Sequence, residues 1–180
     1  SEEDLMLGAI IGDIVGSIYE WNNHKSKEFP LLTYRNYFTD DSVISLAIAK
    51  TLLMAKTDYS DLGDMAIKYM QEIGRNYPDC GYGGGFYKWM FSDDPKPYMS
   101  YGNGAAMRVS ACGFVARSLD EARMLSKKVT EVTHSHPEGI KGAEATVVAI
   151  YLAKTGKNLL EIRDYINKHY YPLNFRLDDI

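Results

Sequence analysis

The sequence predicts an all-α protein of eight helices. Apolar residues recur at three- and four-residue spacing along most of the chain, rather than at the two-residue spacing of a half-buried strand. Hydrophobic residues make up 46% of the 180 residues, enough for one core, so we expect one globular domain over residues 1–180. The predicted helices are approximately Leu5 to Trp21, Asp41 to Lys56, Ser60 to Gly74, Gly85 to Phe91, Gly104 to Arg117, Leu119 to Thr133, Pro137 to Lys154 and Leu159 to Tyr170.

The first predicted helix contains Gly8, Gly12 and Gly16 at four-residue spacing. Each glycine costs about 1 kcal/mol of helix propensity relative to alanine. A smooth ridge that is buried against another helix accounts for this pattern, and the small residues of segment 142–153 predict the partner. We therefore expect a central first helix, and we expect Gly156 to end the partner helix.

Three polar residues of the first helix, Asp13, Ser17 and Glu20, follow one another at four- and three-residue steps. At about 100° per residue, this spacing places them on one narrow face, which isoleucine and valine surround. The face is either a solvated stripe on a surface helix or the polar floor of a site. Because polar groups on a buried helix need partners, the apolar surroundings favour the floor of a site.

The segment Thr39-Asp40-Asp41-Ser42 lies at the start of the second predicted helix. Adjacent carboxylates and a hydroxyl supply the hard oxygen ligands that magnesium or calcium prefers. Helix capping explains the same residues, with Thr39 or Asp40 as the N-cap and the negative charges near the positive end of the helix dipole. The two interpretations are compatible, since a helix start holds such side chains in a fixed geometry.

Glycines accumulate in two loop segments, Gly81 to Phe86 and Gly102 to Gly104. The second leads into a predicted helix start, where backbone N–H groups attract anions and Arg108 follows one turn later. A glycine-rich turn is the simpler explanation for this segment. The first segment is either a second ligand-facing loop or a flexible hinge.

The segment Thr133 to Glu138 joins two predicted helices. Ser135 and Glu138 match the S-x-x-E capping box, and Pro137 falls in the first turn, where proline is tolerated. Capping does not explain His134. A histidine beside a helix start suits hydrogen bonding to a phosphate or a sugar.

Composition excludes several classes of protein. No apolar run reaches the ~18 residues of a membrane span, and the start Ser1-Glu2-Glu3-Asp4 is acidic, unlike a signal peptide, so we expect a soluble cytoplasmic protein. Cys80 and Cys112 lack zinc-ligand spacing, and we expect Cys112 in the core. A net charge of -4 argues against general nucleic-acid binding, so an anionic ligand needs a metal ion or helix N-termini.

In this order, the four motifs resemble the signature of the ADP-ribosylglycohydrolase family, which includes the dinitrogenase reductase-activating glycohydrolase. That signature runs G-D-x-x-G-S-x-x-E, T-D-D-[TS], G-N-G-[AG]-A-M-R and T-H. The matching segments are Gly12 to Glu20, Thr39 to Ser42, Gly102 to Arg108 and Thr133-His134. The resemblance implies a compact multi-helix orthogonal bundle with a binuclear magnesium (Mg²⁺) centre at the bottom of a cleft that binds ADP-ribose.

By this resemblance, Thr39, Asp40 and Asp41 would be metal ligands, and Asp41 would also be catalytic. Glu20 matches a glutamate near the cleft mouth that is implicated in acid/base catalysis or in gating access to the metals. The implied reaction is magnesium-dependent hydrolysis of the N- or O-glycosidic bond that joins ADP-ribose to a protein or another acceptor. The implied substrate-binding residues are Asp13, Asn103, Gly104, Ala105, Met107 and His134.

One family motif has no counterpart in the chain. The remaining metal ligands of the family come from a C-terminal G-G-D-[ST]-D-T motif, and Asp178-Asp179 lacks its glycines and threonine. We therefore expect the N-terminal, larger part of such an enzyme, a chain whose site is completed by a second chain or a dimer, or a protein without catalysis. The alternatives to an enzyme are a non-catalytic ADP-ribose-binding module and a structural, crystallin-like protein.

Overall fold

The computed structural model describes residues 2–176, and these residues form an all-α fold, as predicted. The interpretation of Asp178-Asp179 lies outside the described residues. Between residues 2 and 176 there is no β-strand, only an isolated parallel bridge between Tyr98 and His134, and no helix is long and apolar enough to cross a bilayer. The α-helices are α1 (Glu2–Gly16), α2 (Asp40–Met54), α3 (Leu62–Asn76), α4 (Gly84–Met90), α5 (Ser110–Val115), α6 (Leu119–Thr130), α7 (Pro137–Lys154) and α8 (Leu159–His169), and 3-10 helices span Ser17–Tyr19 and Ala106–Arg108.

Among the described residues, side-chain caps fix the starts of four helices, and the cap of α7 is His136. Thr39 caps α2, Ser118 caps α6 and Asn158 caps α8, each by accepting a hydrogen bond from a backbone N–H of the first turn. At α8, Glu161 completes a reciprocal capping box with Asn158. Gly156, with φ of +90°, ends α7 in the left-handed region, which confirms the predicted stop.

The prediction of one continuous helix over residues 104–117 is wrong. A 3-10 helix and α5 replace it, because Val109, with ψ of 2°, leaves helical geometry between them. The Met107 carbonyl, which a continuous helix would use internally, accepts a hydrogen bond from the Ser45 hydroxyl of α2 at 3.1 Å. The Arg108 side chain is fully buried. Tertiary contacts therefore override the helical periodicity of this segment.

The main core lies where α2, α3, α5, α6 and α7 pack together. Gly113 allows α5 to approach α7 closely, since a Cβ there would lie 2.6 Å from Ile150 Cγ2 and 3.1 Å from the Val147 carbonyl oxygen. Cys112 is fully buried, as predicted, and it is a free thiol, as is Cys80. Fully buried core side chains include Ile44, Ile48, Leu62, Met70, Leu125, Val129 and Val148.

The expectation of a central, buried α1 is wrong. Gly8, Gly12 and Gly16 are exposed, and a Cβ at each would have no neighbouring atom within 4 Å in the described structure. α1 packs against α2 and α5, whereas α7 packs mainly against α5 and α6. Of the small residues of α7, Ala143 lies in the main core and Ala145 and Ala149 pack with α8, whereas the glycines of α1 form an open face.

The predicted capping box at the start of α7 is also wrong. α7 begins at Pro137 as predicted, but its N-cap is His136, whose Nδ1 accepts a hydrogen bond from the Glu138 N–H at 3.1 Å. Ser135 is held in the parallel bridge instead, where its N–H donates to the Tyr98 carbonyl at 3.0 Å. This extended segment leaves Ser135 one residue too early to cap the helix.

Candidate functional site

The four sequence motifs meet around one cavity of about 300 Å³. Two groups of its lining residues differ in chemistry, and we name them separately. The acidic wall consists of Glu20, Asp40 and Asp41. The histidine wall consists of Tyr98, Gly102, Asn103, Gly104, Met107 and His134. The remaining lining residues are Trp21, Gly81, Gly83, Gly85, Phe86 and Ser100.

A neighbouring cavity of about 280 Å³ shares Glu20, Asp41 and Asn103 with the first. Asp13 and Thr39 line only this second cavity. The predicted metal ligands and the predicted substrate-binding residues therefore lie around two adjoining spaces that have three residues in common.

Asp13 holds the start of α2 in place. Its Oδ1 accepts a hydrogen bond from the Thr39 hydroxyl at 2.6 Å, and its Oδ2 accepts one from the Thr39 N–H at 2.8 Å. Oδ2 also accepts hydrogen bonds from the Ser42 hydroxyl at 2.5 Å and from the Ser42 N–H at 3.2 Å. Four hydrogen bonds thus orient Asp13 towards α2, whereas its predicted contact with substrate stays a prediction.

Thr39 is the N-cap of α2, which confirms the capping interpretation. Its φ of -116° and ψ of -170° are extended, and its Oγ1 accepts a hydrogen bond from the Asp41 N–H at 3.2 Å. The Asp40 N–H donates to the Cys80 carbonyl at 2.8 Å, which ties the neighbouring glycine-rich loop to the acidic wall. These backbone contacts fix Asp40 and Asp41 in the cavity lining and leave their carboxylates available to a ligand.

The acidic wall concentrates negative charge. Burial, followed by the charge of Asp41, raises the pKa of Asp40 to about 6. Burial, followed by the charges of Asp13 and Glu20, raises the pKa of Asp41. Among the described residues, no Lys or Arg forms an ion pair with either aspartate. Ionisation of both carboxylates is therefore unfavourable without a cation.

The donor chemistry of Thr39, Asp40 and Asp41 fits a divalent cation in part. Two carboxylates and a hydroxyl are hard oxygen donors, and the helix start fixes their spacing. Burial and repulsion between the carboxylates raise the pKa values of both aspartates. The positive charge of a bound cation would stabilise their ionised forms. In the part of the chain that the structure describes, however, no three or more His, Cys, Asp or Glu side chains are grouped so that they could hold a metal ion. The residues that the structure describes therefore offer an incomplete ligand set.

The histidine wall contains a neutral imidazole. His134 is 2% exposed, and its Nδ1 lies 2.7 Å from the Thr133 hydroxyl. Burial, followed by the positive charge of Arg108, lowers the pKa of His134 to about 4, while a hydrogen bond to the Gly102 backbone opposes the shift. At neutral pH the ring thus donates one hydrogen bond and accepts another. His134 acts as a hydrogen-bonding group and adds no positive charge for an anion.

Nine of the ten predicted site residues line the two cavities. Ala105 does not, because its side chain is fully buried in the core, so only its backbone would be available to a ligand. The expectation that Arg108 attracts an anion at the glycine loop is wrong. Its guanidinium is buried and donates hydrogen bonds to the Val129 carbonyl and the Thr133 hydroxyl.

Trp21 and Tyr98 line the main cavity, and neither was predicted as a site residue. Tyr98 gains its position from the parallel bridge with His134, in which the Tyr98 N–H donates to the Thr133 carbonyl at 2.8 Å. A pairing between segments so distant in sequence leaves no local pattern.

An all-α fold with these four motifs around one acidic and glycine-lined cavity defines the class of the ADP-ribosylglycohydrolases. The sequence model of that family, described as ADP-ribosylglycohydrolase, matches residues 3–179. The chain belongs to this family.

Curated relatives of the chain include ADP-ribosylhydrolase ARH3 from three vertebrates. The Mus musculus protein is 29% identical over 181 residues, which cover 84% of the chain and 48% of the relative. The Homo sapiens protein is 27% identical over 186 residues, with 87% and 50% covered, and the Xenopus tropicalis protein is 28% identical over 179 residues, with 84% and 50% covered. The chain therefore spans about half the length of the curated relatives it matches.

Proposed function

We propose that this chain binds ADP-ribose and takes part in magnesium-dependent hydrolysis of the N- or O-glycosidic bond between ADP-ribose and a modified protein or another acceptor. The observation that carries the proposal is a cavity in which carboxylates with no cationic partner among the described residues lie near a glycine loop and a neutral histidine. The names of the relatives, which are ADP-ribosylhydrolases, support the reaction class. The free thiols Cys80 and Cys112 support a cytoplasmic location.

We assign the magnesium ligands of this chain to Thr39, Asp40 and Asp41. Magnesium held there would supply positive charge to substrate oxygens on which negative charge develops. Because residues 2–176 offer an incomplete ligand set and the chain spans about half the length of its relatives, the proposal includes a further segment, a partner chain or a dimer that completes the site.

Glu20 is the proposed acid/base residue. It is exposed and lines both cavities, so it can meet substrate and water from either space. Cleavage of a glycosidic bond passes through an oxocarbenium-like state, and a carboxyl group assists it by protonating the leaving group or by accepting a proton from water. Asn103 and Gly104, beside Met107, are the proposed contacts for the diphosphate and the ribose, since a glycine loop lets backbone N–H groups approach a ligand.

The test is to replace Glu20 with Gln and to measure release of ADP-ribose from a modified peptide with magnesium present. We expect turnover to fall by about 100-fold or more, the usual contribution of acid/base catalysis, with ADP-ribose affinity nearly unchanged. Glu131→Gln is the matched control, because Glu131 is exposed at the end of α6 and lines neither cavity. Hydrolysis at the normal rate by the Glu20 variant would show that the assignment is wrong.

A non-catalytic ADP-ribose-binding module is the second candidate function. The incomplete metal-ligand set of the described residues favours it. Calorimetry with ADP-ribose, with and without magnesium, separates the candidates when it is combined with the release assay. Binding that depends on magnesium but gives no release supports the module. The absence of both binding and metal uptake supports a structural, crystallin-like protein.

A further inference from the structure

Arg108 is the largest fully buried side chain of the described structure, and no carboxylate there pairs with it. Its Nη2 donates hydrogen bonds to the Val129 carbonyl and to the Thr133 hydroxyl, both at 2.8 Å. Within residues 2–176, its Nε and Nη1 have no hydrogen-bond partner. The Phe86 ring, whose centroid is 5.9 Å from the guanidinium carbon, offers a cation–π contact. A buried charge with so few partners is costly, so packing alone does not account for Arg108.

The Thr133 hydroxyl connects Arg108 to His134. Its Oγ1 accepts the Arg108 hydrogen bond and lies 2.7 Å from His134 Nδ1 and 3.2 Å from the Thr130 carbonyl oxygen. A hydroxyl has one proton to donate. The Thr130 carbonyl already accepts the backbone N–H groups of Thr133 and His134, which favours Nδ1 as the acceptor of that proton. When Thr133 donates to Nδ1, that nitrogen is an acceptor and the ring proton lies on Nε2.

The other side of the His134 ring faces the glycine loop. The Gly102 backbone raises the pKa of the ring, and a Cβ on Gly104 would lie 3.9 Å from Nε2. From α7, Gly139 packs against the same ring, since a Cβ there would lie 3.1 Å from Cδ2. Because Thr133 occupies Nδ1, Nε2 is the ring nitrogen that faces the glycine loop.

The charge of Arg108 also acts on the protonation of the ring. Burial lowers the pKa of Arg108 to about 10, so the guanidinium stays charged at neutral pH. Burial and this charge together lower the pKa of His134 to about 4, so the imidazole stays neutral. A neutral imidazole has two tautomers, and the one with the proton on Nε2 lets Nδ1 accept from Thr133 while the N–H faces the glycine loop.

We propose that Arg108 is a positioning residue that acts through Thr133: it fixes His134 as the Nε2–H tautomer, and that N–H holds the Gly102 carbonyl so that Asn103 and Gly104 are presented to the ligand. The part that concerns the ligand rests on the proposed function, which assigns this loop to ADP-ribose. The part that concerns the tautomer depends only on contacts within the chain.

Thr133→Val tests the connection without a change of shape, because it removes only the hydroxyl. Thr130→Val is the matched control: Thr130 is also fully buried, lies one turn away, and its hydroxyl has no hydrogen-bond partner in the described structure. Nitrogen NMR of ¹⁵N-labelled histidine reports the tautomer. We expect His134 to be the Nε2–H tautomer in the wild-type protein and in Thr130→Val, and to lose this preference in Thr133→Val. The same tautomer in both variants would overturn the proposal.

Calorimetry with ADP-ribose and magnesium tests the consequence for binding. We expect Thr133→Val to weaken binding by about tenfold, the loss expected from one hydrogen bond, while Thr130→Val binds as the wild type does. Equal affinity of the two variants overturns the positioning role. If even the wild type does not bind ADP-ribose, the proposed function fails, and the tautomer measurement still decides whether the connection exists.

Two substitutions test Arg108 itself, and they differ in whether the new side chain can donate a hydrogen bond to Thr133. Arg108→Gln keeps a donor for Thr133 without the charge, so we expect the Nε2–H tautomer together with a raised pKa of His134. Arg108→Met removes the donor and the charge, so we expect the tautomer preference to weaken as it does in Thr133→Val. An unchanged tautomer in a folded Arg108→Met protein contradicts the proposal, and Thr133→Val decides the question if that protein does not fold.

Discussion

The acidic wall and the histidine wall of the cavity treat charge in opposite ways. In the acidic wall, neighbouring carboxylates lie together, and the pKa of Asp40 rises to about 6. In the histidine wall, the buried guanidinium of Arg108 lies behind a neutral imidazole, and the pKa of His134 falls to about 4. One wall thus concentrates negative charge, whereas the other keeps a hydrogen-bonding group uncharged.

The two walls therefore lower the stability of the free protein in different ways. The acidic wall is unfavourable in the free protein, and a ligand of opposite charge would relieve it. In the histidine wall, the burial of the Arg108 guanidinium is unfavourable. The buried guanidinium holds Val129 and Thr133 in a geometry that is already formed without a ligand. Substitutions in the two walls should therefore change stability in opposite directions.

The largest expected effect is that of Asp40→Asn on magnesium binding. We expect affinity to fall by more than the ~10–100-fold loss that removal of an outer-shell partner causes, because Asp40 is a proposed direct ligand. The free protein should become more stable at pH 7, since burial and the repulsion from Asp41 no longer act on a charge. Magnesium calorimetry and urea unfolding measure the two effects.

Asp64→Asn is the matched control for this prediction, because Asp64 lies in the first turn of α3, a helix as long as α2, and is exposed. Its loss should leave magnesium binding unchanged and reduce stability by about 0.3–1 kcal/mol through the helix dipole. A loss of stability in both variants would contradict the view that the acidic wall is strained in the free protein.

The second prediction concerns Asp13, which accepts hydrogen bonds from Thr39 and Ser42 on either side of Asp40 and Asp41. Asp13→Asn removes acceptor capacity from the four hydrogen bonds that orient Thr39 and Ser42, so magnesium affinity should fall by about 10–100-fold. Ser42→Ala removes only one of these hydrogen bonds and should have a smaller effect. Calorimetry compares the two variants, and equal affinities would show that Asp13 does not position the ligands.

The third prediction is that the two walls respond to pH with opposite sign. The folded pKa of Asp40 is raised from 3.8 to about 6, so the folded state binds the extra proton and gains stability as pH falls through this window. The folded pKa of His134 is lowered from 6.5 to about 4, so the unfolded state binds the extra proton and the folded state loses stability as pH falls. Each slope is at most about 1.4 kcal/mol per pH unit, and solvent screening reduces it.

Removing Asp40 or His134 should reveal the pH dependence of stability that the remaining group causes. Between pH 6 and pH 4.5, urea unfolding of Asp40→Asn should show stability falling more steeply with decreasing pH than in the wild type. His134→Gln should shift the slope the other way. Identical slopes in the two variants would show that these groups do not set the pH response of the cavity.

The fourth prediction concerns the packing of the histidine wall. A Cβ at Gly139 would lie 2.7 Å from the Ser100 carbonyl oxygen and 3.1 Å from His134 Cδ2. Gly139→Ala should therefore destabilise the protein by about 1–3 kcal/mol, as overpacking does. Gly142→Ala is the control in the same helix, since its Cβ would meet Tyr171 at an ordinary 3.7 Å. Equal stability of the two variants would contradict the close packing of this wall.

The smallest expected effect is that of Gly8→Ala on α1, the helix that carries Asp13. A Cβ there meets no described atom within 4 Å, so the substitution should stabilise the protein by up to about 1 kcal/mol through helix propensity. Thermal or urea unfolding measures it. A loss of stability would mean that another segment or chain covers this face of α1. Gly139, by contrast, is closely packed by residues within the described structure.

The sequence by itself determined most of the helices and part of the cavity lining, although it did not predict Trp21 or Tyr98 as site residues. α7 was predicted with its observed bounds, because Pro137 and Gly156 are local signals that act within a few residues. The site residues could be predicted because each motif is short, and the order of the motifs is visible in the chain. Nine of the ten predicted residues then lie around the two cavities.

Only the tertiary structure decided which faces meet. The small residues of α1 and α7 have similar patterns, yet the glycines of α1 are open and Gly139 is tightly packed. Arg108 looked like an anion-binding residue, but it lies buried behind Thr133. Helical periodicity and caps depend on neighbours in sequence, whereas burial and the partners of a long side chain depend on contacts between distant segments. For that reason the order of the motifs could be predicted from the chain, and the division of the cavity into two walls could not.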